Sequence, residues 1–366
     1  MKQKFLYIIM LLVVLMSGCQ DDFLETKSTS QVNEDAIFTN TQTAMLAVNG
    51  LHKLMWIGNA QSTLQDGSNS AFYGGYDMLM IWYEMLGDDL IFTYHNAQFY
   101  LQAAWTGHRN ITAGSQAHFY RLLQYFVANS NMILEKVDDI PGTESEKDNL
   151  KGQAHFYRAF GYYTMVQMYA ERYRRGENNS QLGIVLRNDA SLEPRARATV
   201  EEVYKQINAD ADEAIRLLSE TGEKRPNKSH IDQHIARGLK ARILLTQGKW
   251  QEAAEMAKLV VEKSGAQLQD DTYTTTENRF SDNANKEWLW GSNATLTPYV
   301  QLTHFHGYMS NEIVSYNQNS PRAINSLLYK KISDTDVRKG VWFPQGGVKS
   351  VTPRPIVPPH TNSKYA

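Results

Sequence analysis

The sequence predicts a mainly α-helical protein, built from stacked helical hairpins that give way to a loop-rich region. Three observations carry that prediction. Apolar residues recur at helical spacing through most of the chain between residues 41 and 263. Two of those stretches are separated only by Gly248-Lys249, the length of a tight helical hairpin. Beyond Gly265 the periodicity gives way to polar segments, and half of the 10 prolines crowd between Pro344 and Pro359. With 366 residues, 42% of them hydrophobic, the chain can fill one large core or two ordinary ones, so a disordered polymer is excluded.

The chain opens with Lys2 and Lys4, an uninterrupted apolar run from Phe5 to Met16, and the small residues Ser17-Gly18 before Cys19. This is a signal peptide: its twelve apolar residues reach only ~18 Å as a helix, short of a ~30 Å hydrocarbon core. The only cysteine of the chain sits at the cleavage position, an arrangement that resembles the bacterial lipobox, in which the thiol is acylated. Processing would remove residues 1–18, leaving 35 of the 37 basic residues against 39 acidic ones, a net charge of −4. Attraction to anionic headgroups then adds nothing, and the membrane anchor is the lipid on Cys19. Residues 19–35 are polar and aperiodic, a lipidated tether to the folded body.

The body, residues 36–366, reads as a single unit, with a helical scaffold mainly over 36–58 and 117–264 and loop-rich regions over 59–116 and 265–366. Its first helix begins at Thr41, with Ala44, Val48, Leu51, Leu54 and Met55 on one stripe and Gly58-Asn59 as the stop. A second spans Tyr76 to Leu86 and stops at Gly87; a third spans Ala117 to Val137 and is closed by Pro141-Gly142. The strongest periodicity covers 147–170. Thr199 with Glu202 has capping-box spacing ahead of the stripe Val203, Ile207, Ala211, Ala214 and Leu218. His230 to Gln247 and Trp250 to Lys263 complete the series. In that last pair Ala241, Leu244, Gly248, Trp250, Ala253 and Ala257 follow the small-and-large spacing of a tetratricopeptide repeat. Trp82, Tyr157, Trp250, Trp288 and Trp290 lie on periodic or alternating segments and are expected in the core.

Several chemistries lack their residues. Balanced charge without a basic run removes the phosphate-neutralising surface of a nucleic-acid binder. One cysteine allows neither an internal disulfide nor a thiolate zinc site. His230 with His234, and His304 with His306, lack a metalloprotease pattern, and His230 falls at a helix start where exposure is the ordinary outcome. No phosphate-binding glycine loop and no G-x-S-x-G occur. Asp88-Asp89 are adjacent and do not face one another as a hydrolytic pair would. No enzyme, cofactor or metal is implied.

Several segments, in order, resemble one family. Asp21-Asp22-Phe23-Leu24-Glu25 behind the lipobox is similar to the mature start of the SusD/RagB family of Bacteroidetes surface lipoproteins, as is Ala47-Val48-Asn49-Gly50. Phe119-Tyr120 through Ala128-Asn129-Ser130-Asn131, Gln153-Ala154-His155-Phe156-Tyr157-Arg158-Ala159, and Ala241-Arg242-Ile243-Leu244-Leu245 with Gly248 and Trp250 resemble its successive helices. Asp334-Thr335-Asp336-Val337-Arg338 resembles its late Asp-x-Arg segment. Ala170-Glu171-Arg172-Tyr173 departs from the family's usual Gly and Pro. Members are commonly longer, so the resemblance implies C-terminal truncation here.

What the resemblance implies is a non-catalytic, outer-membrane lipoprotein facing the cell exterior. It would bind an oligosaccharide or related nutrient and pass it to a SusC-like TonB-dependent transporter. Sugar recognition asks for flat aromatic faces against pyranose C–H groups, with amides for the hydroxyls. Two segments have that composition: 94–105, with Tyr94, Phe99, Tyr100 and Trp105, and 293–316, with Tyr299, Phe305 and Tyr308. These seven aromatics are the candidate glycan-binding residues. A repeat scaffold that organises outer-membrane partners without touching sugar is the alternative, and an esterase or glycosidase is third.

Overall fold

The computed structural model describes residues 34–57, 74–92, 99–191, 193–222, 224–269, 283–291, 308 and 322–342. The signal peptide, Cys19 and most of the tether lie outside the described residues. Helices follow in the order α1 (Glu34–Ile37), α2 (Thr41–Leu54), α3 (Tyr76–Leu86), α4 (Tyr100–Ala103), α5 (Gly114–Lys136) and α6 (Glu144–Tyr169). Then come α7 (Val200–Glu220), α8 (Gln233–Thr246), α9 (Trp250–Lys263), α10 (Ser326–Lys331) and α11 (Val337–Trp342). A two-stranded antiparallel ribbon joins β1 (Leu90–Phe92) to β2 (Arg322–Ile324), with Leu90 opposite Ile324.

The scaffold is the antiparallel series α5–α6–α7–α8–α9, in which each helix packs on the next, and α2 lies against α5 and α6. The fold is thus mainly α, with tetratricopeptide-like hairpins. Capping boxes set two of its starts. Thr143 Oγ1 accepts from the Glu146 N–H at 3.2 Å while Glu146 Oε2 accepts from the Thr143 N–H at 2.8 Å; Thr199 and Glu202 repeat both distances at α7. The first box begins α6 three residues ahead of the start that periodicity marks, because Glu144 to Glu146 are polar first-turn residues without an apolar stripe. α6 and α7 approach so closely that a Cβ on Gly152 would lie 2.7 Å from Leu218 Cγ. Gly248 closes α8 at φ +72°, where other residues are strained.

Charge is buried at the centre of this scaffold. Arg158 on α6 grips Asp210 on α7 through two bonds, Nε to Oδ2 at 3.0 Å and Nη2 to Oδ1 at 2.6 Å, and donates through Nη1 to Asn131 Oδ1 at 2.9 Å. His155 and Gln206 add bonds to the same carboxylate at 2.8 and 3.0 Å. Asn131 then donates to the Arg187 and Asp189 carbonyls, pinning the extended 182–191 segment across the helices. The Asn and Arg of two resembling segments therefore form one polar core, with every strong group partnered.

Three expectations need correction. Trp250 is 57% exposed, because α9 is the outermost helix of the described series and no further helix covers that face. His230 is buried, its ring 4.5 Å from that of His52, since Ile231 N–H docks on Gln153 Oε1 and draws the segment inward. The alternating stretch 287–290 forms turns, held by Trp290 Nε1 on the Ser229 carbonyl and Arg225 on the Leu289 carbonyl. Trp290 packs half-buried against Phe156 and Phe160, and Trp82 and Tyr157 are in the core.

Candidate functional site

Backbone contacts place α3 over the scaffold. Gly75 N–H donates to the Ile57 carbonyl at 2.7 Å and Asp77 N–H to the Met55 carbonyl at 2.9 Å, tying the start of α3 to the end of α2. Gly75 is required there, since a Cβ would lie 2.4 Å from the Leu54 carbonyl oxygen. His118 Nε2, hydrogen-bonded to the Gly74 carbonyl at 2.9 Å, fastens the same turn to α5, and Trp82 sits edge-on to Phe119 at 5.0 Å.

Between α3 and α6 this leaves a cleft of about 460 Å³. From α3 come Tyr76, Leu79, Tyr83 and Leu86, at i, i+3, i+7 and i+10 on one helix face, together with Trp82. From α6 come Phe160, Tyr163, Thr164, Gln167 and Met168, again one face. Gln116, Phe119 and His108 close one end, and Arg242 of α8 the other. The lining thus alternates aromatic faces with amides, a hydroxyl and one guanidinium.

Its polar groups are only partly committed. Gln167 gives one amide N–H to the Tyr163 carbonyl at 2.9 Å, and Gln116 gives one to the His108 carbonyl at 3.3 Å, so each retains an amide oxygen and a second N–H. Tyr163 is held by Thr246 Oγ1 at 2.7 Å. Burial pushes the Tyr76 and Tyr83 hydroxyls above the ordinary tyrosine range, although Arg242 opposes this for both, so they stay neutral hydrogen-bonding groups. The arrangement offers stacking surfaces and hydroxyl partners, and among the described residues no nucleophile–base pair lines it.

A second cavity of about 440 Å³ lies on the other side of Tyr76, Phe160 and Arg242, which line both. His52, Trp56, Asp77, Tyr157, Ser229 and Trp290 belong to it. His52 Nδ1 is 2.6 Å from the Tyr157 hydroxyl; burial, aided by His230, pushes His52 down to about 3. Among the described residues no group of three His, Cys, Asp or Glu is placed to hold a metal, and no helix is long and apolar enough to cross a membrane.

The seven candidate aromatics divide. Tyr94, Tyr299 and Phe305 lie outside the described residues. Phe99 and Tyr308 are core residues rather than platforms: both are buried, edge-on at 5.1 Å, with Phe99 also against Trp82. Their polar neighbours in sequence misled, because Phe99 turns inward at a left-handed position, φ 67°. Tyr100 and Trp105 are exposed, at 38% and 48%. Trp105, also left-handed at φ 57°, stands edge-on to His108 at 6.0 Å, which places it beside the end of the cleft.

The family whose description is starch-binding and associating with the outer membrane, SusD-like, matches residues 22–245, more than half of the chain. The chain belongs to the SusD-like family. SusD-like protein P2 of Formosa agariphila is 24% identical over 270 residues, 71% of this chain and 46% of that protein, so the chain spans about half the length of this curated relative. Among solved structures, a SusD-like carbohydrate-binding protein of Bacteroides vulgatus superposes with a TM-score of 0.68 at 20% identity, over 82% of this chain and 60% of that one. Surface glycan-binding protein A of Bacteroides thetaiotaomicron, solved with laminarihexaose, has a TM-score of 0.57 at 14% identity, over 84% and 64%. These likenesses establish the fold shared by the SusD-like scaffold.

Sequence reasoning missed Tyr76, Tyr83, Gln167 and Arg242 as lining residues. Each lies on a helix whose periodicity reads as core, and α3 is apolar on both faces, one toward the core and one toward the cleft. A signal was present: Tyr76 and Tyr83 recur at i and i+7, on one face of a mainly apolar helix.

Proposed function

We propose that the chain is a surface lipoprotein that captures an oligosaccharide in the cleft between α3 and α6 and delivers it to a SusC-like TonB-dependent transporter of the outer membrane. The observation that carries this reading is the lining itself: aromatic faces of the half-buried Tyr76 and Tyr83 opposite the amides of Gln116 and Gln167, in a cavity within the size range of small-ligand sites. Binding is noncovalent, and the protein performs no catalysis. Exposed Trp105, beside His108, extends the aromatic surface outward from the cleft. Tyr100 is the second exposed platform of that segment, and Tyr94, Tyr299 and Phe305 remain candidates from composition.

Lipidated Cys19 would hold the protein on the outer face of the outer membrane, with residues 19–35 as tether. The family's description and the relatives solved as carbohydrate- or glycan-binding proteins support this reading. A glycan array probed with the purified mature chain tests it. Selective retention of one oligosaccharide class is the expected result, and the absence of any hit would return the account to a sugar-free scaffold.

A further inference from the structure

We infer that the captured chain is acidic, carrying carboxylate or sulfate groups, and that it runs through both cavities with an anionic substituent on Arg242; this rests on the glycan-binding reading above. Arg242 stands at the wall that the two cavities share, with Tyr76 and Phe160. Among the described residues some arginines meet carboxylates, as Arg158 does Asp210 at 2.6 Å, Arg216 Glu213 at 2.6 Å and Arg338 Asp336 at 2.5 Å, while the Arg187 and Arg197 side chains are held by backbone carbonyls. Among the described residues no carboxylate lies within ion-pair distance of Arg242. Its side chain is hydrogen-bonded to the Tyr76 hydroxyl, which cancels no charge, while the Tyr163 hydroxyl donates to the Arg242 backbone carbonyl. A guanidinium kept in this state presents a planar fork suited to a carboxylate or sulfate.

The rest of the lining agrees. Among the described residues no Asp or Glu lines the first cavity, and Asp77 is the one acid in the second. One Asp77 oxygen already accepts from the Met78 N–H at 2.9 Å, and burial pushes this carboxyl up to about 7, which reduces the negative charge an acidic chain meets there. His52 is neutral at that pH. The two cavities, about 460 and 440 Å³, give room for several consecutive sugar rings on either side of Arg242. Arg242 is exposed in the free protein, and a neutral glycan covering it would take the guanidinium out of water without a counter-charge.

The test uses an array carrying oligogalacturonates, oligoalginates and sulfated galactan oligomers beside neutral gluco-, manno- and xylo-oligosaccharides. The best acidic hit is then titrated into the wild-type mature chain, Arg242→Met and Arg242→Lys, and its methyl-esterified or desulfated form into the wild type. The expected result is an acidic hit whose affinity falls about tenfold or more in Arg242→Met and in the charge-blocked ligand, with a smaller loss in Arg242→Lys and weakening at high salt. Hits confined to neutral oligosaccharides, or equal binding of the charged and charge-blocked ligands, overturn this inference and leave glycan capture standing. No hit of either kind overturns both. Should Arg242→Met fail to fold, the charge-blocked ligand on the wild type still decides.

Discussion

The centre of the α5–α8 scaffold and the cleft beneath α3 are both rich in tyrosine, arginine and amides, yet they use them in opposite ways. In the scaffold Arg158, Asp210, Asn131, His155 and Gln206 form one connected network in which the buried charges are paired. In the cleft Arg242 has no acid, and Gln116 and Gln167 each have an amide oxygen uncommitted among the described residues. Polar groups that satisfy each other hold a fold together, whereas polar groups left open in a cavity are available to something else. The difference separates residues whose loss should cost stability from residues whose loss should cost affinity.

The largest expected effect is on the paired side. Asp210→Ala would leave Arg158 buried without its counter-charge and should cost about 3–5 kcal/mol, read as a lowered melting temperature. The pH dependence has a definite sign. Burial alone would raise the Asp210 carboxyl, but bonds from His155 and Arg158 outweigh it and hold the group below the ordinary range. Its contribution is therefore present at neutral pH and disappears as pH falls below the usual aspartate range, so a chevron series in acid should show this dependence in the wild type and lose it in Asp210→Asn. A melting temperature unaltered by Asp210→Ala would mean the network is not what holds α6 to α7.

Next comes a contrast between two aromatics that are close in sequence. Phe99→Ala removes a core ring and should cost about 3–5 kcal/mol of stability, whereas Trp105→Ala should leave the melting temperature within about 0.5 kcal/mol of the parent. Ligand affinity should respond in the reverse order: Tyr83→Ala, at the cleft, and Trp105→Ala, beside it, are each expected to lose roughly 2 kcal/mol of binding, about thirtyfold. Calorimetric titration of the best array hit measures both. If Trp105→Ala destabilises as Phe99→Ala does, the division drawn between buried and presented aromatics fails.

Smaller effects sharpen the same line. Gly152→Val, which would force a Cβ toward Leu218, should cost about 1–3 kcal/mol by separating α6 from α7. His52 gives a second acid limb: kept neutral in the folded state and pushed down to about 3, it is protonated more readily in the unfolded chain. Stability should therefore decline from its ordinary value near 6.5 downward toward pH 3, and His52→Gln should flatten that decline in thermal melts.

Much of this division was legible in the sequence, for reasons particular residues show. Local signals marked the scaffold: the Thr199–Glu202 capping box, the Gly87 stop and the Gly248 turn are all contained within a few residues, and the structure has each of them. Pairing of Leu90–Phe92 with Arg322–Ile324 has no local signature, since its partners are brought together only by the intervening chain. The cleft was harder for a different reason. Tyr76 and Tyr83 differ from core tyrosines only in what faces them, and that depends on where α3 docks. Trp105, off any periodic stripe, is exposed as its sequence context suggests, while Phe99 and Tyr308, in equally polar segments, turn inward.

Hydrogen–deuterium exchange of the mature chain, with and without the best array oligosaccharide, tests most directly whether the open polar groups beneath α3 are the binding site. The account predicts slowed exchange in peptides spanning 76–86, 105–119 and 160–168, with 200–220 unchanged. Protection confined to other segments, with those three unaltered at saturating ligand, would contradict it.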